Sequence, residues 1–387
     1  MKTIKLVLRF LSKGAPYEVN AGAPTELKDI WIKLLFKKSN IRFLILFLFT
    51  KVFWKPKHYI KYKLLKLQNK ESIEIEVDKK MTSARIPMFY YNYFRLSKPG
   101  IWQQKDDYLY HKLFRHCLAS LATANDVNIL KDKIKFYSFC RANSIETPLS
   151  YDGSSNLSGD QNYPWQSLKD FIIKPTTGRK SKGFRLFKYD DVNNHYRCIG
   201  HKSNQICEQV RSFLEDFFSK NDQAYIIQEK IENHKFFNNI CNGSLCVIRI
   251  LSMVTSDNNI ETFRPILLLP QNNMITADIH RGADAYEIDG QEGKILSLVD
   301  RTEVENQIVK NTSLPHWERL LGLVKDCHKL LLDVPLIGWD VAITPSGPSI
   351  IEGNTGPSLD IHQLTPMKPI INSDFYNLLM FHLRSKL

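Results

Sequence analysis

At 387 residues the chain is long enough for two or three domains, each with its own buried core. Its seven cysteines are odd in number and scattered, with Cys241 and Cys246 the closest pair and no histidine array beside them. That excludes a disulfide framework and a zinc cluster as simple readings, and favours a reducing compartment. The net charge of +13 is lodged in one place: residues 1–70 carry 16 Lys and Arg against 3 Asp and Glu, and the rest of the chain balances at 37 of each.

Within that basic segment, Phe43 to Phe49 and Val52 to Trp54 form a dense apolar and aromatic block, interrupted or flanked by Lys37, Lys38, Arg42, Lys51, Lys55 and Lys57. The block is too short to span a bilayer, which takes about 20 apolar residues. It suits a helix lying on an anionic membrane surface, with Phe43, Leu46, Phe47 and Trp54 entering the lipid. A docking helix with a solvated basic face is the plainer alternative. A nucleic-acid arm ranks third, because phosphate contacts need no such apolar density. No apolar run followed by a small-residue cleavage site opens the chain, so a cytoplasmic protein, peripheral on the inner face of the membrane, is expected.

Residues 71–110 hold an aromatic cluster (Phe89, Tyr90, Tyr91, Tyr93, Phe94) to which the sequence assigns no role. Helices are predicted from about Asp107 to Ala122 and from about Asp132 to Ala142, the second capped by Asp132. A short strand, Phe171 to Lys174, then leads through a loop rich in Gly, hydroxyls and cations to a second strand, Phe184 to Lys188. Such a hairpin can fold over a polyphosphate. It is not a Walker A loop, because Phe184 and Arg185 follow Gly183 where Lys-Ser/Thr is needed, and a strand follows in place of a helix.

A further apolar strand, Ala224 to Ile231, ends in Glu229-Lys230-Ile231-Glu232. Arg249 is a lone cation in the strand Leu245 to Leu251, and Arg281 lies in a loop, Asp278 to Ala283. Either guanidinium could fork onto phosphate or carboxylate oxygens, or simply face water. His316 to Leu332 reads as an amphipathic helix whose Leu320, Leu323, Val324, Cys327, Leu330 and Leu331 are core. Two strands follow, Ile337 to Thr344 and Ser349 to Asn354, joined by Pro345-Ser346-Gly347-Pro348. A turn near Ser346 sets Asp340 opposite Glu352, and alternation puts Asn354 on the face of Glu352. The opposed carboxylates repel, and a divalent cation held by oxygen ligands would offset that.

The run from Ile337 to Pro357 resembles the metal-binding end of ATP-grasp enzymes, and is similar to the sugar-transfer-associated branch of that superfamily. The likeness covers roughly the last two-thirds of the chain, with its motifs in the family's order. It implies an α+β fold in which two α+β subdomains clasp ATP, preceded by a basic, partly helical N-terminal region. By resemblance, Asp340, Glu352 and Asn354 hold two Mg²⁺ ions, Glu352 bridging them. Lys133 and Lys174 reach the ATP phosphates, with Lys131 and Lys135 as neighbouring candidates for the first. Gly178, Lys180, Lys182 and Gly183 belong to the loop that closes over the nucleotide. Glu229, Lys230 and Ile231 line the adenine and Glu232 takes the ribose. Arg249 and Arg281 serve the reacting phosphate and the acceptor, although Cys246-Val247 and Asp278-Ile279 stand where the family carries Asn-Thr and Asp-Asn.

The expected division is a basic N-terminal region over 1–95, a helical segment over 96–150 and an ATP-grasp domain over 151–387, its lid and hinge in 151–235 and its metal-binding part in 236–387. The implied activity is an ATP- and Mg²⁺-dependent carboxylate–amine ligase, working through an acyl phosphate on a uronic acid or related carboxylate in surface-polysaccharide assembly. A kinase acting on a sugar hydroxyl is the alternative, and a non-catalytic, nucleotide-binding scaffold at the membrane is a third.

Overall fold

A computed structural model describes residues 20–49, 52, 72–98, 100–122, 126–153, 169–177, 183–200, 203–207, 210–220, 223–238, 240–241, 244–270, 277, 283–299, 311–364 and 368–387. Trp54, Gly178, Lys180, Lys182 and Arg281 lie outside these residues. Packing groups the chain into two compact units, Met1–Thr123 with Gly356–Leu387, and Ala124–Thr355. This is a grouping by contact, where the expected division followed composition along the chain.

The first unit begins with α1 (Thr25–Leu35), whose Leu27, Ile30, Trp31, Leu34 and Leu35 fall at helical spacing and are buried. Residues 41–49 are also helical, and α2 (Ser72–Ser83) and α3 (Phe89–Tyr93) follow. Of the aromatics left without a role by the sequence, Tyr90 and Phe94 are buried in the core of this unit, while Phe89 is exposed. Tyr90 stacks on Phe94 with centroids 5.3 Å apart and meets Tyr110 edge-on at 4.8 Å. Tyr108 and Tyr110 extend that cluster, so the helix expected from Asp107 begins later, as α4 (His111–Leu121).

The second unit opens with α5 (Asp126–Lys131) and α6 (Lys133–Ala142). Asp132 caps α6 as expected, its Oδ1 accepting from the N–H groups of Ile134 at 2.9 Å and Lys135 at 3.2 Å. One antiparallel sheet comprises β1 (Ser150–Asp152), β2 (Phe171–Pro175), β3 (Arg185–Asp190), β4 (His195–Gly200), β5 (Ser203–Cys207) and, beyond α7 (Val210–Ser219), β6 (Tyr225–Glu229). Its order is β1-β6-β2-β3-β4-β5, and Phe171, Ile173, Phe187, Cys198, Leu214 and Ile227 form its core.

The second sheet takes β7 (Val247–Val254), β8 (Ile260–Leu269), β9 (Asp284–Ile288), β10 (Ile295–Val299), then, after α8 (Trp317–Lys329), β11 (Leu336–Thr344) and β12 (Gly347–Thr355). Its order is β10-β9-β8-β7-β11-β12, antiparallel throughout, and α8 packs on β7, β8, β11 and β12. The predicted stripe of α8 is buried at Leu320, Leu323, Val324, Cys327 and Leu331. Leu330 departs from it, 45 % exposed: the helix ends at Lys329, so the residues beyond it no longer follow the helical spacing. The chain then rejoins the first unit, ending in α9 (Asp374–Arg384), which packs on α1 and α4.

Candidate functional site

The hairpin β11–β12 turns through Pro345 and Ser346, Thr344 pairing with Gly347. A regular ladder from that turn would place Asp340 opposite Ile351. A β-bulge intervenes: Val341 pairs with Ile350 and Asp340 with Glu352, leaving Ile351 as the extra residue. The expected pairing of Asp340 with Glu352 therefore holds because of the bulge. Asn354 shares the face of Glu352, its Nδ2 donating to Oε1 at 3.1 Å. Gly353 between them has no room for a side chain: a Cβ would meet Leu130 at 2.7 Å and the Trp339 ring at 2.8 Å.

The opposed carboxylates do repel, Glu352 adding to the rise of Asp340, and the offset comes from outside the hairpin. On the other flank of β11, Asp340 pairs with Arg249 of β7. The guanidinium grips the buried Asp340 with two bonds, Nε to Oδ1 at 2.7 Å and Nη2 to Oδ2 at 2.9 Å. Arg249 thus faces the acidic pair, not open water. Burial still raises the Asp340 carboxyl above its ordinary value, against the pull of Arg249. Burial also pushes Glu352 upward, but Lys133, Lys174, the Asn354 hydrogen bond and Arg249 together outweigh it and hold that carboxyl low.

Lys133 and Lys174 therefore converge on Glu352 from different elements. Lys133 opens α6, and its N–H donates to Thr176 O at 3.0 Å, tying the helix to the end of β2. Lys174 is pushed down to about 8 by burial, with Glu352 and Asp340 opposing. Its Nζ donates to the Tyr137 hydroxyl at 3.0 Å, and that hydroxyl donates to the carbonyl of Ile351, the bulged residue. Tyr137 was not among the expected site residues. Its one sequence signal is its place four residues after Lys133, on the same face of α6.

On the proposed nucleotide side, Gly183 closes the β2–β3 connection at φ +77°, where a Cβ would press on Pro175 at 2.9 Å. Glu229 is committed to Leu149, its Oε1 accepting that N–H at 2.8 Å while its own N–H donates back to the carbonyl at 2.9 Å. Lys230 is held by Asp170, with Nζ to Oδ2 at 3.3 Å. Ile231 is half-buried and Glu232 exposed. Cys241 and Cys246 bring their sulfurs to 2.9 Å, and among the described residues no three His, Cys, Asp or Glu side chains gather as a metal cluster. Any metal here would rest on two carboxylates and an amide.

The chain matches the model of the sugar-transfer associated ATP-grasp family over residues 118–373. It belongs to that family. A comparison with curated protein sequences returns no match. Among solved structures it is similar to D-alanine–D-alanine ligase from Bacillus anthracis, with 18 % identity over 67 % of this chain and 69 % of that one, at a TM-score of 0.39. The D-alanine–D-alanine ligase from Coxiella burnetii is 10 % identical, covering 73 % and 67 %, at 0.40. The L-amino acid ligase from Bacillus licheniformis is 11 % identical over 68 % of this chain and 51 % of that chain, at 0.36.

Proposed function

We propose that this chain is an ATP- and Mg²⁺-dependent carboxylate–amine ligase whose carboxylate is a sugar acid used in surface-polysaccharide assembly, working in the cytoplasm against the inner face of the membrane. The observation that carries the chemistry is the acidic face of Asp340, Glu352 and Asn354, ringed by Lys133, Lys174 and Arg249. The two carboxylates and the amide are hard oxygen donors of the kind Mg²⁺ takes, and the three cations around them suit the anionic phosphates that share its remaining positions. Asp340, Glu352 and Asn354 would hold two such ions, which when bound draw charge from the β- and γ-phosphate oxygens. The sugar acid and the inner-membrane setting extend the family's link to sugar transfer and the basic N-terminal segment.

The chain's own residues would do the rest. Lys133 and Lys174 fix the phosphates, Lys174 held in line by Tyr137. Arg249, released from Asp340, would turn to the γ-phosphate and steady the charge of the transfer. A substrate carboxylate oxygen attacks the γ-phosphorus, the bond to the β-phosphate oxygen breaks, and ADP leaves an acyl phosphate. An amine then attacks the acyl carbon, phosphate departs, and a proton is lost to give the amide. Glu232 would accept from the ribose hydroxyls, and the hairpin tip with Lys180 and Lys182 would close over the phosphates.

Glu352→Gln tests this reading. ATP turnover should fall by about 100-fold or more, the scale on which a key electrostatic stabiliser is lost. The melting temperature should fall as well, because Lys133 and Lys174 lose the charge that offsets their burial. Near-normal ADP release from the variant would remove the metal assignment. Hydroxylamine added to the native enzyme should yield a hydroxamate from the acyl phosphate. ADP release with a phosphate ester and no hydroxamate would make the chain a kinase, and nucleotide binding with no ADP release would make it a scaffold.

A further inference from the structure

The apolar residues between α1 and residue 52 divide between two faces. The inward set is packed on protein: Trp31 Nε1 donates to Leu113 O at 2.9 Å, Phe47 meets Trp31 edge-on at 5.5 Å, and Phe43 lies 5.9 Å from the His116 ring. Leu46 is 3 % exposed. Phe43, Leu46 and Phe47, the residues expected to enter lipid, are therefore already engaged. The outward set is different. Ile32, Phe36, Ile41, Ile45, Leu48 and Val52 are 46–63 % exposed. Ile41, Ile45 and Leu48 recur at i, i+4 and i+7, on one face of the helical stretch 41–49.

Cations are interleaved with this face. Lys33, Lys38 and Arg42 are exposed, and residues 30–70 hold eleven Lys and Arg with no Asp or Glu. Asp29 is exposed one turn before Ile32 and Lys33, and beyond it the charge along the strip is positive. An apolar strip with such a border matches a hydrocarbon layer beneath anionic headgroups. A second copy of the chain would bring the same charge against itself. Nucleic acid would leave the apolar strip without a partner. Among the described residues no helix is long and apolar enough to cross a membrane.

We propose that the face formed by Ile32, Phe36, Ile41, Ile45 and Leu48, with Lys33, Lys38 and Arg42 at its border, docks the protein on an anionic lipid leaflet. This rests on the peripheral location proposed above and reassigns the contact from the inward set to the outward set.

The test uses the full chain with sedimentable vesicles of phosphatidylcholine, alone or with about 30 % phosphatidylglycerol, at low and high salt. The native chain should sediment with the anionic vesicles, at least tenfold less with neutral ones, and be only partly released by salt, which screens the cations but not the apolar contact. Ile41→Ser/Ile45→Ser/Leu48→Ser should keep the native melting temperature and ADP release, yet lose at least tenfold of the salt-resistant binding. If that variant does not fold, Leu48→Cys labelled with an environment-sensitive fluorophore replaces it. All seven native cysteines are buried, so the label reports on this face, and its emission should shift to the blue on anionic vesicles. A native chain that ignores anionic vesicles overturns the peripheral location itself. Binding that survives the triple substitution, or a label that does not respond, overturns only the choice of face. A concentration-dependent dimer abolished by the same substitutions would give the face to a second copy and overturn the lipid assignment.

Discussion

Tyr137 joins three parts of the candidate site through one oxygen. Its hydroxyl accepts from Lys174 and donates to the Ile351 carbonyl beside Glu352, while its backbone rides on the helix that Lys133 opens. Tyr137→Phe should keep the fold and loosen Lys174, whose ammonium would lose a partner in a buried setting. Two hydrogen bonds worth about 1 kcal/mol each bound the effect, so kcat should fall roughly tenfold with the KM for ATP changing less. An unchanged kcat would make the hydroxyl a packing feature. The role was not legible in the sequence. Helical spacing places Tyr137 above Lys133, but its acceptor exists only because the ladder bulges at Ile351. Asp360 offers a second test at this scale, outside the site. Its Oδ1 accepts from the His111 N–H at 2.9 Å and its Oδ2 from the Tyr90 hydroxyl at 3.0 Å, yet burial pushes its pKa up to about 7. The folded carboxyl thus keeps a proton that the unfolded one releases near 3.8. Its contribution to stability is full below the unfolded value and is lost as pH rises through about 7. Thermal melts should show the native protein losing stability from about pH 4 to pH 7, and Asp360→Asn should flatten that slope.

At the scale of elements, the hairpin tip and the strand that supports it make different demands on charge. Lys174 sits inside β2, held by Tyr137, so under the proposed function it would be in place when charge develops in the transition state. Lys180 and Lys182 belong to the segment between β2 and Gly183 and would act by closing over the phosphates. Lys180→Ala/Lys182→Ala should therefore raise the KM for ATP severalfold, and Lys174→Ala should lower kcat by a larger factor, both read from steady-state ADP release. Small, equal effects would reduce the hairpin to a surface feature. Much of this element was legible beforehand, since Gly183 and the apolar alternation of Phe171 to Lys174 have local causes. So was the acidic hairpin, where Pro345 and Gly347 mark the turn. Arg249 beside Asp340 was not, because its placement depends on β7 pairing with β11 across about 90 residues of chain, and no local pattern encodes that choice.

Across the whole molecule, composition identified the basic segment but not the division of its apolar residues. Trp31 and its neighbours in α1 are core because α4 and α9, distant in sequence, pack against them. Glu26 and Arg384 close the same unit across the surface at 2.6 Å. Removing residues 1–70 is therefore a poor test of membrane contact, although the sequence alone offers it as the natural one. The deletion takes away Leu27, Ile30, Trp31, Leu34 and Leu35, all buried to 3 % exposure or less. At about 1.5–3 kcal/mol for each buried side chain, that loss is on the order of 10 kcal/mol. A whole domain is stable by only about 5–15 kcal/mol. The truncated chain should accordingly be insoluble, or lack the cooperative melting transition of its first unit. Substitutions confined to Ile41, Ile45 and Leu48 should leave that transition in place. A truncated protein that melts cooperatively near the native temperature would mean that α1 contributes little to this core, and that the basic segment is a separable arm.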